Sequence, residues 1–465
     1  MELTIDYQPT AKQVLFHTST ANEVLYGGAA GGGKSKAIVM DGLARCLTYP
    51  GTAAYMFRRT YSELEDTLIK EAKASYPPGL AKYNSSRHEM LLPNGSLICF
   101  RHCASPADMY LYAGAEIQWL YIDELTSFEY EIYTFLKTRL RAKKALGVKP
   151  LVRCASNPGN IGHSWVKSMF VDAAPPLTMV NHVERLPGAK HSRQFTTQYI
   201  PALATDNPHI TDDYLYELNR KPKALRDALL YGKWDAFEGQ VFLEFTDDPE
   251  HYEDRIGTHV IRPFEIPSTW RRYFSFDHGY SAPFSCAWWA CDPEGRLYRY
   301  REWYGSDGTP NHGLFLSPRE IAQGILDREE DERRNNIFID RVADPAIFDK
   351  SRGDSVADMM RNIDGGHARG VMFRKGDNNR IAGKMQVHER LRFDETGRPK
   401  LYVFNTCRDF IRTVPTLPYD RVRTEDVDSK AEDHAYDDTR YMCMARPLPT
   451  KGMPIRPPQP YDPFE

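Results

Sequence analysis

The sequence predicts an α/β protein built from two domains, and three observations predict it. A glycine-rich loop, Gly28 to Ser35, stands between a short apolar run and a helix-like run, as a phosphate-binding strand–loop–helix unit requires. Apolar strand patterns then alternate with helical ones as far as Ala155, which favours a parallel, doubly wound sheet. A second series of strand patterns, Tyr273 to Phe404, carries acids at strand ends and is followed by an acidic helix pattern. At 465 residues, more than one domain is expected.

The loop carries the first chemical signal. Gly28 to Ser35 satisfies G-x-x-x-x-G-K-[ST]. Glycines such as Gly28, Gly31 and Gly33 let the backbone curl so that its N–H groups face a polyphosphate, and the next helix presents its positive end. Lys34 is placed to neutralise the β- and γ-phosphates of ATP, and Ser35 to ligate Mg²⁺. Upstream, Gln13 sits on an amphipathic turn, where its amide can pair an adenine edge.

Downstream, residues 52–58 read as a buried strand. Ser62 and Glu65 read as a capping box opening a helix, and residues 90–100 as a hairpin turning at Asn94-Gly95. Trp119 to Glu124 is an apolar run ending in two acids. A central strand of this kind delivers carboxylates to the carboxyl edge of the sheet beside the phosphate loop. Asp123 there holds Mg²⁺ through water and Glu124 polarises the attacking water, which implies hydrolysis rather than binding alone. Ser156-Asn157 ends the next strand, where it can sense the γ-phosphate; Asn157-Pro158-Gly159 also suits a plain turn. Arg139 and Arg141 are candidates for a finger acting on a neighbouring subunit's nucleotide, Arg139 first.

Two short helical patterns follow between Thr211 and Tyr231, and then an acidic, turn-rich stretch. The expected division is 1–230 for the nucleotide domain with its lid, 231–260 for a linker, 261–445 for the second domain and 446–465 for a proline-rich tail. In the second domain a three-strand antiparallel meander carries Asp277 in its first strand. A later strand ends at Asp344, and a helix opens with Ser429 as cap and Glu432 at its third position. Three separated acids suit two-metal phosphodiester cleavage, in which carboxylates converge on ions ~3.5–4 Å apart. On that helix Asp433 and Asp437 share a face, and Asp438 is turned ~100° away toward solvent. Asp433 is favoured as ligand, with Asp437 as a further ligand or outer partner.

Composition closes off other classes. No apolar run approaches ~18 residues, so no membrane span is expected. Residues 1–6 lack the features of a signal peptide. The eight cysteines have no zinc spacing and read as reduced core residues. The net charge of −3 neither favours nor excludes nucleic acid.

Taken together, these segments resemble the large terminase subunit of tailed bacteriophages, over roughly residues 8 to 445. The resemblance rests on Gly28–Ser35, Trp119–Glu124, residues 156–166, Asp277-His278-Gly279, Ala343-Asp344-Pro345 and Asp433 to Asp437 ahead of Arg440-Tyr441. It implies an N-terminal additional-strand P-loop ATPase with a parallel sheet and a C-terminal ribonuclease-H-like nuclease. Gln13 falls at the family's adenine motif, Lys34 and Ser35 at its phosphate loop, Asp123 and Glu124 at its hydrolysis motif, and Ser156-Asn157 at its coupling motif. Asp277, Asp344 and the Asp433/Asp437 region fall at its nuclease metal ligands. The implied cofactors are ATP with Mg²⁺ at one site and two Mg²⁺ or Mn²⁺ at the other. The implied partners are double-stranded DNA, a portal protein, a small terminase subunit and further copies in a pentameric ring, all in the host bacterial cytoplasm. Some members carry an arginine inside the phosphate loop. This chain has Ala29-Ala30 and then glycine up to Lys34, so Arg139, Arg141 or Arg58 must supply that charge. A translocase–nuclease of a repair complex is the alternative, but it calls for a second set of nucleotide motifs, and none appears. A scaffold component without catalysis has no use for Glu124 or the distal acids.

Overall fold

In the computed structural model the residues described are 5–184, 192–208, 210–221, 223–234, 237, 239–351, 353–363, 370–420 and 422–448. The tail expected at 446–465 lies, from 449 on, outside them. Contacts divide the chain into two units, Met1–Leu243 with Pro415–Glu432, and Glu244–Val414 with Asp433–Glu465.

The first unit contains strands β1 (Glu23–Gly28), β2 (Ala53–Arg58), β3 (Lys82–Asn84), β4 (Glu89–Leu91), β5 (Leu97–His102), β6 (Trp119–Asp123), β7 (Leu151–Ser156), β8 (Met179–Glu184) and β9 (Arg193–Ala202). They form one sheet in the order β3-β4-β5-β2-β6-β7-β1-β9-β8. The six central strands, β5 to β9 in that order, are mutually parallel, and antiparallel hairpins extend both edges. Every residue of β1 and β6 is buried, as central parallel strands covered on both faces require. The β4–β5 hairpin turns at Asn94-Gly95, where Gly95 N–H donates to Leu92 O at 3.0 Å. β7 lies between β1 and β6, so the end of β7 separates the loop strand from the acid strand.

One capping expectation is corrected. The helix after β2 begins at Tyr61, with Thr60 and Glu63 forming the capping box, not Ser62 and Glu65. β2 ends at Arg58, and the chain turns into helix as soon as it leaves the sheet.

The second unit contains β10 (Val260–Ile261), β11 (Arg271–Asp277), β12 (Ser285–Cys291), β13 (Leu297–Tyr304), β14 (Ile339–Ala343), β15 (Arg374–Lys375) and β16 (Leu401–Phe404). Their order is β10-β16-β13-β12-β11-β14-β15. β11, β12 and β13 are the antiparallel meander, and β14 adds parallel to β11. This is the mixed α/β sheet expected of a ribonuclease-H-like domain.

His259 supports the edge of this sheet. It is fully buried; its Nδ1 accepts from Thr246 N–H at 3.0 Å and its Nε2 lies 2.7 Å from Leu391 O. Both nitrogens are used by one neutral tautomer, and burial lowers its pKa from 6.5 to about 4. As pH falls through that window the unfolded chain takes up a proton that the folded chain refuses, so stability falls with pH. The drop is worth up to roughly 3 kcal/mol. His259→Asn keeps an acceptor for Thr246 and removes the titration. Its melting temperature should fall less than that of the native chain between pH 7 and pH 4.5; equal slopes would clear His259 of this role.

The last helix is also corrected. It runs His434–Ala445 with Asp433 at its N-cap, and residues 429 and 432 do not cap it. The Asp428 carboxylate captures Lys430 N–H at 2.9 Å, and Ala431 N–H donates to Asp428 O at 3.1 Å. This local turn holds the backbone out of helix until Asp433.

Candidate functional site

The nucleotide cleft is built at the carboxyl edge of the first sheet. Gly28 has φ of 131°, and a Cβ there would stand 2.6 Å from Ala202 O, so only glycine lets the loop leave β1 at this angle. Ala29 N–H donates to Ala202 O at 2.7 Å and Ala30 N–H to Leu229 O at 3.2 Å. Gly31 and Gly33 both adopt positive φ, and the helix Lys34–Thr48 starts directly after them. The Lys34 ammonium is buried against Ala29 O. Burial lowers its pKa, with Glu124 and Asp123 opposing.

Ser35 Oγ donates to Asp123 Oδ2 at 3.0 Å. Arg58, at the end of β2, donates to the same oxygen from Nε at 2.9 Å and from Nη2 at 2.8 Å, and its Nη2 lies 4.0 Å from Glu124 Oε1. Glu124 occupies a left-handed backbone position, φ 53°. Its carboxylate accepts from Asn157 Nδ2 at 3.1 Å and Asn157 N at 3.3 Å. Burial raises its pKa, with Asp123 adding to the effect and Lys34 and Arg58 opposing it. Ser156 turns away from the cleft and ties β7 to the loop after Glu124, its Oγ accepting from Thr126 N–H at 3.1 Å.

A cleft of about 710 Å³ opens over these groups, lined among others by Gln8, Gln13, Lys34, Ser35, Glu124 and Asn157. Gly31 and Gly33 line it too; Gly28, Asp123 and Ser156 lie behind the wall. Gln13 is committed on both ends of its amide. Oε1 accepts from Thr10 N–H at 2.9 Å and Nε2 donates to Gly33 O at 2.9 Å. One N–H and one lone pair remain for a base edge. The donor set suits MgATP: Ser35 and Asp123 place oxygen donors side by side, and Asn157 Oδ1 is a buried acceptor with no protein partner. Arg139 stands elsewhere. Its carbonyl accepts from Ile117 N–H, so it flanks the amino end of β6, one five-residue strand (~16 Å) from Asp123. Arg141 is on the same side, its backbone N–H donating to Ile117 O.

The second site is at the carboxyl edge of the second sheet. β11 and β14 are parallel neighbours with Phe276 opposite Ala343, so Asp277 and Asp344 emerge side by side. Asp344 N–H donates to Phe276 O at 3.1 Å. Asp277 Oδ2 lies 3.0 Å from His434 Nδ1. Burial raises Asp277 to about 7, opposed by His434 and aided by Asp437 and Asp344. Asp433 is raised to about 7 by burial and by Asp437. Asp437 is held by Arg440 Nε at 3.0 Å and Arg380 Nη1 at 3.3 Å. Clustered carboxylates that raise one another's pKa are a donor set of the right chemistry for Mg²⁺ or Mn²⁺. Among the described residues, no three such side chains stand close enough to cage an ion in this conformation. Arginines and a histidine already engage them.

Asp438 is not at the surface, contrary to the helical-wheel expectation. It is fully buried, accepting from Arg299 Nη1 at 2.6 Å and Nη2 at 3.1 Å, from Ser275 Oγ at 3.1 Å and from Ser285 Oγ. The helix is buried on most sides, so turning away from one acid turns Asp438 into the sheet. Asp438→Ala strands the fully buried Arg299 with only Glu302, at 3.4 Å, to pair with. A destabilisation of about 3–5 kcal/mol is expected in a thermal or urea melt. A change below about 1 kcal/mol would mean that the pair contributes little.

Three further residues carried no signal of a role in the sequence. Arg380 reaches the second site only through packing, His434 lies within the Asp433–Asp437 segment but is given no role there by the sequence, and Asn207, whose Nδ2 donates to Gly31 O at 2.7 Å, reaches the loop from the segment after β9.

A family model described as phage terminase large subunit matches residues 20–225. Among solved structures, the large terminase of the thermophilic bacteriophage D6E aligns at 16% identity and TM-score 0.39, covering 94% of this chain and 98% of that one. The nuclease domain of the P22 large terminase aligns at 18% identity and TM-score 0.31, over 45% of this chain and 93% of that one. The ATPase domain of the Thermus phage P74-26 large terminase aligns at 15% and TM-score 0.32, over 50% and 95%. No curated protein matches.

Proposed function

We propose, from the premise that residues 20–225 place this chain in the phage terminase large subunit family, that it is a DNA-packaging motor. In this reading it hydrolyses ATP to drive double-stranded DNA into a procapsid and cuts concatemeric DNA with its second unit. The observation that carries the reading is the contact of Ser35 with Asp123 at 3.0 Å, beside a Glu124 held over the same cleft by Asn157. A binding module has no need of the second acid.

Lys34 holds the β- and γ-phosphates, and the glycine loop shapes the backbone around them. Ser35 and Asp123 would hold Mg²⁺, which screens the charge building between the β- and γ-phosphates. Glu124 accepts a proton from the attacking water, and its raised pKa makes it the stronger base. Asn157 fixes that carboxylate, and Ser156 links its loop to β7. Arg58 supplies the positive charge that the loop itself lacks. Arg139, on the far edge of the sheet, acts on a neighbouring copy in a ring.

In the second unit Asp277, Asp344, Asp433 and Asp437 would hold two divalent ions, which activate water and steady the leaving oxygen. The portal protein and the small terminase subunit are the partners of this reading, and the host cytoplasm is its setting. The test uses purified full-length protein. Plasmid cleavage with Mn²⁺ and no ATP, together with ATP hydrolysis that needs Lys34, is the expected pair. Absence of both activities would favour a scaffold role and overturn the proposal.

A further inference from the structure

Arg380 lies against two acids of the second site. It is the first residue of the helix Arg380–Leu391, with Asn379 as N-cap. This helix lies close against the helix His434–Ala445 because Gly383 carries no side chain; a Cβ there would stand 2.4 Å from Arg440 Cγ. Close approach brings the Arg380 guanidinium over the two acids of the last helix. Nη1 is 3.3 Å from Asp437 Oδ2, and Nη2 is 3.6 Å from Asp433 Oδ2.

The two arginines at these acids are not equivalent. Arg440 is fully buried, 3.0 Å from Asp437 Oδ1 and tied to Asn378 Oδ1 at 3.2 Å. Arg380 keeps 22% of its side-chain surface exposed. Its contacts with these two acids are long beside the ~2.7–2.9 Å of a well-made charge-assisted hydrogen bond. Arg440 is therefore a fixture, and the Arg380 bridge to these two acids rests on charge more than on hydrogen-bond geometry.

We propose that Arg380 is a resident counter-ion of the nuclease centre, bridging Asp433 and Asp437 until a divalent ion displaces it. This rests on the metal-centre reading above. Without the bridge, two buried carboxylates one helical turn apart would repel each other, so the guanidinium keeps the ion-free centre folded. The same bridge competes with the ion, so the centre loads only where divalent ions are plentiful enough to win. The engaged carboxylates also account for the lack of a ready ion cage.

The test is Mn²⁺ binding to the full-length chain without nucleotide or DNA, read by the free-ion electron paramagnetic resonance signal. The proteins are the native chain, Arg380→Gln, Arg380→Ala and each with Asp433→Ala. The part of binding lost with Asp433→Ala reports this centre. Removing Arg380 should tighten that part at least about tenfold, the worth of one hydrogen bond to a charged group. In a parallel melt, both Arg380 variants should be less stable than the native chain in EDTA and gain more from saturating Mn²⁺. Equal or weaker Asp433-dependent binding in both variants overturns the counter-ion role while leaving the metal centre standing. Binding that ignores Asp433→Ala in every background overturns the metal centre and this proposal with it.

Discussion

Glu124→Gln should still bind ATP and should hydrolyse it about 10²–10⁴-fold more slowly, the usual worth of a general base. The substitution keeps the shape of the side chain and an oxygen for Asn157 to donate to, so the cleft is not expected to rearrange. It removes the carboxylate that Asn157 holds over the cleft. Asp123 is a poorer base than Glu124, because its carboxylate already accepts from Ser35 once and from Arg58 twice. Nucleotide affinity by calorimetry and turnover by phosphate release separate the two effects, and cleavage of plasmid should persist. If turnover drops by less than about tenfold, well short of what a general base supplies, then water is activated by another group.

The second large effect is at Asp277. In the full-length chain, Asp277→Ala should abolish Mn²⁺-dependent cleavage and leave ATP hydrolysis intact. The loss should exceed the roughly 10–100-fold typical of removing a group behind a metal ligand. Asp277 ends a central strand, is 6% exposed, and lies level with Asp344 across the β11–β14 pair. Asp277→Asn keeps the volume and an acceptor for His434 while removing the charge, so it should be nearly as inactive. Full cleavage by the asparagine variant would move the chemistry away from this carboxylate.

The parts of the fold that were legible in the sequence are those whose signal is contiguous. The loop from Gly28 to Ser35 needs its glycines and its Lys-Ser within eight consecutive residues, and the strands ending at Asp123, Asp277 and Asp344 are short apolar runs closed by an acid. The pairing of β11, β12 and β13 also followed from local pattern, since a meander pairs neighbours in sequence. Errors came where a hydrogen bond or a partner that the pattern does not encode decides. The start of the last helix was misplaced because the Asp428 carboxylate captures Lys430 N–H, and a cap at Ser429 looks the same in sequence whether or not that happens. Asp438 was assigned to solvent because a helical wheel treats the side away from one ligand as outside. Arg299, on β13 far upstream, is the reason that side is inside. Arg58 could be named only as one of three arginines, because nothing local to it says that β2 and β6 are adjacent.

The chain passes between its two units three times: after Leu243, after Val414 and after Glu432. Residues 415–432 pair with the end of the first unit, Val241 N–H donating to Leu417 O and Tyr419 N–H to Gly239 O, both at 2.9 Å. The residue that follows them is Asp433. A gene in which one activity could be traded for a relative's by a single crossover would need one junction, and this one has three. A recombinant joined only near residue 243 inherits a strap matched to a partner it has lost. The two units should therefore descend together even where their neighbours in the genome are shuffled.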